Sequence, residues 1–249
     1  MRAVTWNLFH GLDSPAATSR PLLPEFVRVL DSVEWDVALL QEAPPRWRSE
    51  LARSLGAESA IALTSRNCLA PLRGWIADRW PSAIKSNEGG SNQLLVRAPW
   101  RIAETRVHTL TTRPERRRML WARLAGPDGA VLAVANLHGS VDSVSGASEQ
   151  VLAAAARAVE WSGDLPLVFG GDLNLRVTRQ PHVFEELERR FGLVAPTARD
   201  AIDHLLVRGL DVIEPPRRAP VEARQVKVDD GRVVTLSDHA YVTASLGMR

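Results

Sequence analysis

The stretch that most restricts the fold runs from Leu165 to Leu175, Leu-Pro-Leu-Val-Phe-Gly-Gly-Asp-Leu-Asn-Leu. Leu167 to Phe169 is a short apolar run and reads as a buried strand. Gly170 and Gly171 then let the backbone turn sharply and come close to a ligand. Asp172 and Asn174 follow two residues apart. If the chain stays extended there, both side chains leave the strand end on the same side. A carboxylate beside an amide can hold a water, one accepting its proton while the other donates to a phosphate oxygen.

The same arrangement, a polar group at the end of an apolar run, recurs along the chain. Val4 to Phe9 begins a strand carrying Asn7. Asp36 to Leu40 is a second strand and runs into Gln41-Glu42. Ala130 to Leu137 is followed by His138-Gly139. Asp203 heads the apolar strand Ile202 to Val207, and Ser237-Asp238-His239 precedes the last strand, Ala240 to Ala244. Between these lie helices with apolar residues at helical spacing. Pro21 opens one with Leu23, Phe26, Val27, Leu30 and Val33. A second carries Trp47, Leu51 and Leu55 and is ended by Gly56. The clearest spans Ser145 to Trp161, capped by Ser145, with Val151, Leu152, Ala155 and Val159 as its buried stripe. Pro181 opens another with Val183, Phe184, Leu187 and Phe191.

Ser59 to Leu63 reads as a short strand. Antiparallel pairs are expected for Asn92 to Arg97 with Arg101 to Leu110, joined at Ala98-Pro99-Trp100, and for Met119 to Ala125 with Ala130 to Leu137, turning at Gly126-Pro127-Asp128-Gly129. Val226 to Leu236 reads as a hairpin around Asp229-Asp230-Gly231. Asn67 to Gly90 reads as one strand, Gly74 to Ala77, plus a long loop ending in Asn87-Glu88-Gly89-Gly90. Trp75 and Trp80 within it read as core or rim packing rather than stacking platforms. No repeat or linker divides the chain, so residues 1–249 are expected to form a single domain.

Composition narrows the class. An apolar fraction of 45% and a charged fraction of 24% are those of a globular protein. No apolar run approaches the roughly 20 residues a membrane helix needs. The N-terminus enters a strand pattern directly, without the apolar core of a signal peptide, which points to a cytoplasmic protein. Cys68 is the single cysteine. It excludes an internal disulfide framework and a cysteine-based zinc site. Net charge is +2, but Arg97 to Arg123 holds eight arginines against Glu104 and Glu115. Guanidinium forks suit phosphate. Because 29 of the 31 basic residues are Arg, any single one carries little weight.

Six strand ends thus carry Asn7, Glu42, His138, Asp172 with Asn174, Asp203, and Asp238 with His239, and no Ser or Cys nucleophile motif competes. Carboxylate oxygens suit Mg²⁺ or Mn²⁺. An Asp-His pair supplies an oriented imidazole. The chemistry that uses all of these is metal-assisted hydrolysis of a phosphate ester.

The ordered motifs Thr5-Trp6-Asn7, Leu40-Gln41-Glu42, Asn136-Leu137-His138-Gly139, Gly170-Gly171-Asp172-Leu173-Asn174, Ile202-Asp203-His204 and Leu236-Ser237-Asp238-His239 resemble the endonuclease/exonuclease/phosphatase superfamily, from Val4 to Thr243. The resemblance implies a DNase I-like α/β fold. This is a four-layer α-β-β-α sandwich of two mostly antiparallel sheets packed face to face, with the site at one rim. It also implies roles. Glu42 would bind the divalent cation, with Asn7 and Asp238 nearby. Asp172 would orient or deprotonate the attacking water, and Asn174 would steady water and phosphate. His239, held by Asp203, would contact the scissile phosphate, and His138 matches the family's second histidine. Arg117 stands where many members place a phosphate-binding Arg, flanked by Arg116 and Arg118. Asn92 resembles the family's Gly-Asn strand start, although a turn amide is the simpler reading. The DNA-gripping helical insertions of abasic-site endonucleases are not evident. The leading expectation is a phosphodiesterase on nucleic acid, with a monomer as the default because nothing in the sequence sets the oligomeric state. The alternatives are a phosphomonoesterase, a lipid phosphodiesterase of the inositol phosphate or sphingomyelin type, or a silent phosphate-binding module.

Overall fold

Side chains of a strand alternate between two faces, and in this chain both faces of the central strands are apolar. Such strands need cover on each side. The computed structural model describes residues 1–18, 20–65, 69–80, 84, 89–141, 143–194 and 197–248. In chain order the strands and helices are β1 (Arg2–Asn7), α1 (Leu23–Ser32), β2 (Val37–Gln41), α2 (Arg48–Ser54), β3 (Ala57–Leu63), α3 (Ala70–Arg79), β4 (Ser91–Arg97), β5 (Arg101–Thr111), β6 (Arg117–Ala125), β7 (Val131–His138), α4 (Val144–Ser162), β8 (Leu167–Asp172), α5 (Pro181–Phe191), β9 (Asp203–Arg208), β10 (Leu210–Arg218), β11 (Gln225–Lys227), β12 (Val233–Thr235) and β13 (Val242–Met248).

One sheet has the order β10-β13-β1-β2-β4-β3, the other β5-β6-β7-β8-β9, and β11 with β12 forms a separate hairpin. Most neighbours are antiparallel; β1 with β2 and β7 with β8 are parallel. One row of each strand meets the opposite sheet. Ala3, Val37, Leu39, Leu94 and Val242 on one side pack with Leu120, Leu132, Val134, Val168, Leu205 and Val207 on the other. The alternate rows face helices. Val4, Trp6, Ala38 and Leu40 pack with Phe26 and Leu30 of α1 and Leu51 of α2. Ala133, Ala135, Leu167 and Phe169 pack with Val151, Ala154 and Ala155 of α4 and Val183 and Leu187 of α5. The layers are therefore helix, sheet, sheet, helix, as the DNase I-like reading requires.

Several local expectations are corrected. Gly74 to Ala77 lies inside helix α3, not a strand. The stretch contains Pro71 and Gly74, which hid its helical character, and its apolar residues follow no clear stripe. Trp75 and Trp80 are exposed and meet edge to face, with ring centroids 6.0 Å apart, so they are not core residues. β4 and β5 do not pair: β4 lies between β2 and β3, while β5 is the edge of the other sheet. Alternation marks both as strands but does not name the partner. The cap of α4 is Ser143, whose side chain accepts from Gly146 N, and not Ser145. β10 has no counterpart in the sequence reading; Pro215 and Pro216 obscure it. Cys68 and the Asn87-Glu88 turn lie outside the described residues.

Candidate active site

The inward rows change character toward one rim. Ala3 and Thr5 lead to Asn7; Val37 and Leu39 lead to Gln41; Leu132 and Val134 lead to Asn136 and His138; Val168 leads to Asp172; Val207 and Leu205 lead to Asp203. β1, β2, β7 and β8 end at this rim, while β9 begins there, Asp203 facing Asp172 in register. β13 is antiparallel to β1, so the Asp238-His239 loop before it also arrives at the rim. Topology alone therefore gathers residues separated by more than two hundred positions.

Asp172 is the hub. Its Oδ2 accepts from Asn7 Nδ2 at 3.0 Å and lies 3.4 Å from His138 Nε2 and 3.7 Å from His239 Nε2. Its Oδ1 accepts from Asn174 N at 3.0 Å. The chain does not stay extended after the strand: Asn174 has φ 53°, so the loop curls back on Asp172. Asn174 Nδ2 then donates to Gly139 O at 3.0 Å. Gly171 has φ 128°, and a Cβ there would fall 2.0 Å from Leu137 O, so glycine is required beside β7.

The imidazoles differ in charge. His239 Nδ1 lies 2.9 Å from Asp203 Oδ2. Burial pulls this ring toward neutrality, but the bond to Asp203 and the charges of Asp203, Asp172 and Asp238 outweigh it and push its pKa up to about 9. His138 is pushed the other way, well below the usual histidine value, by burial and then by the charges of Arg117, His239 and His10. Arg117 Nη1 is 2.8 Å from His138 Nδ1. Arginine only donates, so Nδ1 is the bare nitrogen and Nε2–H faces Asp172. Asp172 is raised to about 7, first by burial and then by the Asp203 charge, against the pull of His239, Asn7 and Asn174.

Arg117 is the arginine of its triplet that meets the site. It is buried, holds His138 with one nitrogen and pairs with Glu115 Oε2 through another at 2.8 Å. Glu115 in turn accepts from Ser65. The guanidinium that the resemblance would give to phosphate thus supports an imidazole. Asn92 is a buried strand residue rather than a turn amide, and its Nδ2 donates to Arg118 O at 2.7 Å across the two sheets. Beneath the rim, Gln41 Nε2 donates to Asn136 Oδ1 at 2.7 Å, and Asn136 Nδ2 donates to Leu40 O and Gln93 O. This network ties the sheets together under the cleft.

Three rim residues were given no role by the sequence, although Ser237 stands in the Ser237-Asp238-His239 motif. His10 Nε2 lies 3.4 Å from Glu42 Oε2. Ser237 Oγ donates to Asn7 O at 2.7 Å and accepts from His239 N at 3.0 Å. Arg224 donates to the carbonyls of Leu236 and Ser237. Phe9, His10, Glu42, Asn174 and Ser237 all adopt positive φ. Such conformations cost about 1–3 kcal/mol each and persist where surrounding structure over-determines them.

Glu42 Oε1 lies 3.8 Å from His138 Nδ1, and Asp238 Oδ1 lies 3.8 Å from His239 Nε2. Glu42, His138, Asp172, His239 and Asp238 are therefore linked by successive separations of 3.8, 3.4, 3.7 and 3.8 Å. Among the described residues, Glu42 and Asp238 accept no short hydrogen bond, which leaves hard oxygen lone pairs for a divalent cation. Asp172, Asp203 and His239 also place ligand atoms within 4.8 Å of one another. There, however, the ring is protonated and Asp203 is bound to it, so this triad suits proton handling better than metal.

The sequence profile of the endonuclease/exonuclease/phosphatase family matches residues 4–239. The chain belongs to that family. Its members are hydrolases of phosphate esters that generally use divalent metals, and this chain is an enzyme of that kind. No curated protein matches the chain. Solved structures share its fold at low identity. A Bacteroides thetaiotaomicron mannosyl-6-phosphatase superposes with TM-score 0.74 at 15% identity over 99% of each chain. The human nocturnin catalytic domain with bound sulfate anion gives 0.71 at 14%, covering 100% of this chain and 94% of that one. TDP2 of D. rerio complexed with single-strand DNA product gives 0.62 at 17%, covering 100% and 99%. No helix of the described residues is long and apolar enough to cross a membrane.

Proposed function

We propose that this family member is a divalent-metal phosphodiesterase acting on nucleic acid, built as one domain over residues 1–249. The observation that carries it is the unbroken line of contacts from Glu42 to Asp238 through Asp172. Glu42, Asn7 and Asp238 would hold Mg²⁺ or Mn²⁺, which neutralises phosphate charge when bound. Asp172 takes the proton of the attacking water, and Asn174 keeps that water and a phosphate oxygen in place. Asn7 holds the Asp172 carboxylate in position. His239, kept charged by Asp203, offers Nε2–H to the phosphate as charge develops on it. His138 aims its Nε2–H at the same cleft because Arg117 occupies its other nitrogen.

A phosphomonoesterase is the second reading, and a specific observation favours it. Much of the Arg97 to Arg123 charge is locally paired: Arg97 with Asp31, Arg106 and Arg123 with Glu104, Arg117 with Glu115. That leaves a smaller footprint for a polyanion. A panel of DNA, RNA, lipid and sugar phosphates with Mg²⁺ or Mn²⁺ separates the readings. Diester cleavage abolished by Asp172→Ala supports the first. Inorganic phosphate released from a monoester, with DNA intact, selects the second.

A further inference from the structure

A cavity of about 430 Å³ opens beside His239, away from the Asp172 hub. It shares Asp203, Asp238 and His239 with the site and is closed by Arg176, Asp200, Arg218 and small or aliphatic residues. Apart from the imidazole of His239, which is bonded to Asp203, no aromatic ring lines it, so it offers little surface on which a base can stack. Its two guanidiniums are held on fixed backbone. Arg176 stands one residue beyond the Asp172–Asn174 loop, after the buried Leu175, and its backbone N donates to Gln180 Oε1 at 2.8 Å. Its Nε donates to Asp200 O at 3.0 Å. Among the described residues its terminal nitrogens have no acceptor. Arg218 ends β10, pairs in register with Val242, and stands 3.9 Å from Asp200. With Asp203 committed to His239 and Asp238 assigned to the divalent cation, Asp200 alone is left to balance the two guanidiniums.

We propose that this cavity is a second phosphate subsite: the substrate carries another phosphate next to the scissile ester, and Arg176 and Arg218 grip it. This rests on the phosphoesterase reading and narrows it. The ligand chemistry is a phosphate in the same molecule as the ester, from a neighbouring nucleotide or from a bisphosphorylated small molecule. A guanidinium fork meets such a group with two parallel bonds.

The test compares matched substrates differing by one phosphate: thymidylyl-thymidine against its 5′- and 3′-phosphorylated forms, and a sugar monophosphate against the corresponding bisphosphate. Loss of one charge-assisted contact corresponds to about tenfold or more. The expected result is a preference of about that size in kcat/KM for the extra phosphate in one family. That ratio should collapse toward one in Arg176→Ala and in Arg218→Ala, each checked for an unchanged melting curve. The nucleotide arm and the sugar arm identify the source. A ratio near one in both families, or one that survives both substitutions, overturns the subsite. If no ester is turned over, the phosphoesterase reading fails, and calorimetry with inorganic pyrophosphate and orthophosphate at fixed Mg²⁺ decides the cavity separately. Tighter pyrophosphate binding, lost in Arg176→Ala, supports it; equal binding overturns it.

Discussion

At the scale of single residues, the buried carboxylate of Asp172 is the costliest group in the cleft, because water has been replaced by two imidazoles and an amide. Asp172→Asn should lower kcat by about 10²–10⁴-fold and lower Tm as well, because its NH2 would face an N–H donor that the carboxylate accepts from and His239 would lose a counter-charge. A kinetic assay beside a thermal melt checks both halves. Chelation should abolish turnover and Mg²⁺ or Mn²⁺ restore it. Glu42→Gln should raise the metal concentration needed for half-maximal rate by about tenfold or more, read from a titration of rate against free Mg²⁺. Asp172 and Asp203 were visible in sequence because each stands at the end of an apolar strand where a core side chain would otherwise sit, and His239 because it follows Asp238 just before one. Arg117 could be placed only within its triplet, since register decides which of three arginines meets His138. Arg176 and Arg218 were invisible against 29 arginines. His10 and Ser237 belong to loops with positive φ, whose direction no spacing rule gives.

At the scale of elements, periodicity fixed helices with a clear apolar stripe and left the rest open. α1 and α5 carry such stripes and match their expected spans closely. α3 does not, and its helix was missed. The start of α4 illustrates the same limit more finely. Ser143, Ser145 and Ser148 all stand near its first turn, and geometry picks Ser143 because its extended backbone lets Oγ reach Gly146 N at 3.0 Å. Ser143→Ala should cost about 1 kcal/mol, within the usual range for a lost cap, while Ser145→Ala should be nearly neutral. Denaturant melts of the two variants distinguish them. Strand pairing was the other gap. The turn at residues 98–100 looked like a hairpin, yet it carries the chain from one sheet to the next, which depends on contacts far away in sequence.

For the whole molecule, pH couples stability to buried imidazoles. His204 packs against Phe184 on the helix side of β9, and its Nε2 bonds Leu175 O at 2.9 Å. Burial holds its pKa below the ordinary value, partly offset by that bond and by Asp203. The unfolded chain therefore binds more protons near pH 6.5, so this contribution is complete above that value and lost as pH falls through it. Asp172 and His239, with raised values, act in the opposite sense. The clean measurement is a difference. The stability of His204→Gln should fall less steeply than that of the parent between about pH 7 and 5, by no more than one proton's worth, about 1.4 kcal/mol per pH unit. Parallel slopes in urea melts across that range would contradict it. One feature of the topology reaches further. Strands β5 to β9 are consecutive, while the partner sheet draws on both termini, so among the described strands the path enters the second sheet at residues 98–100 and leaves it at Gly209. A recombination event with breakpoints at those two crossings would swap His138, Asp172, Asn174 and Asp203 as one cassette. Asn7, Glu42, Asp238 and His239 would stay with the recipient, so a chimera between relatives could inherit its water-activating groups and its cation-holding groups from different parents.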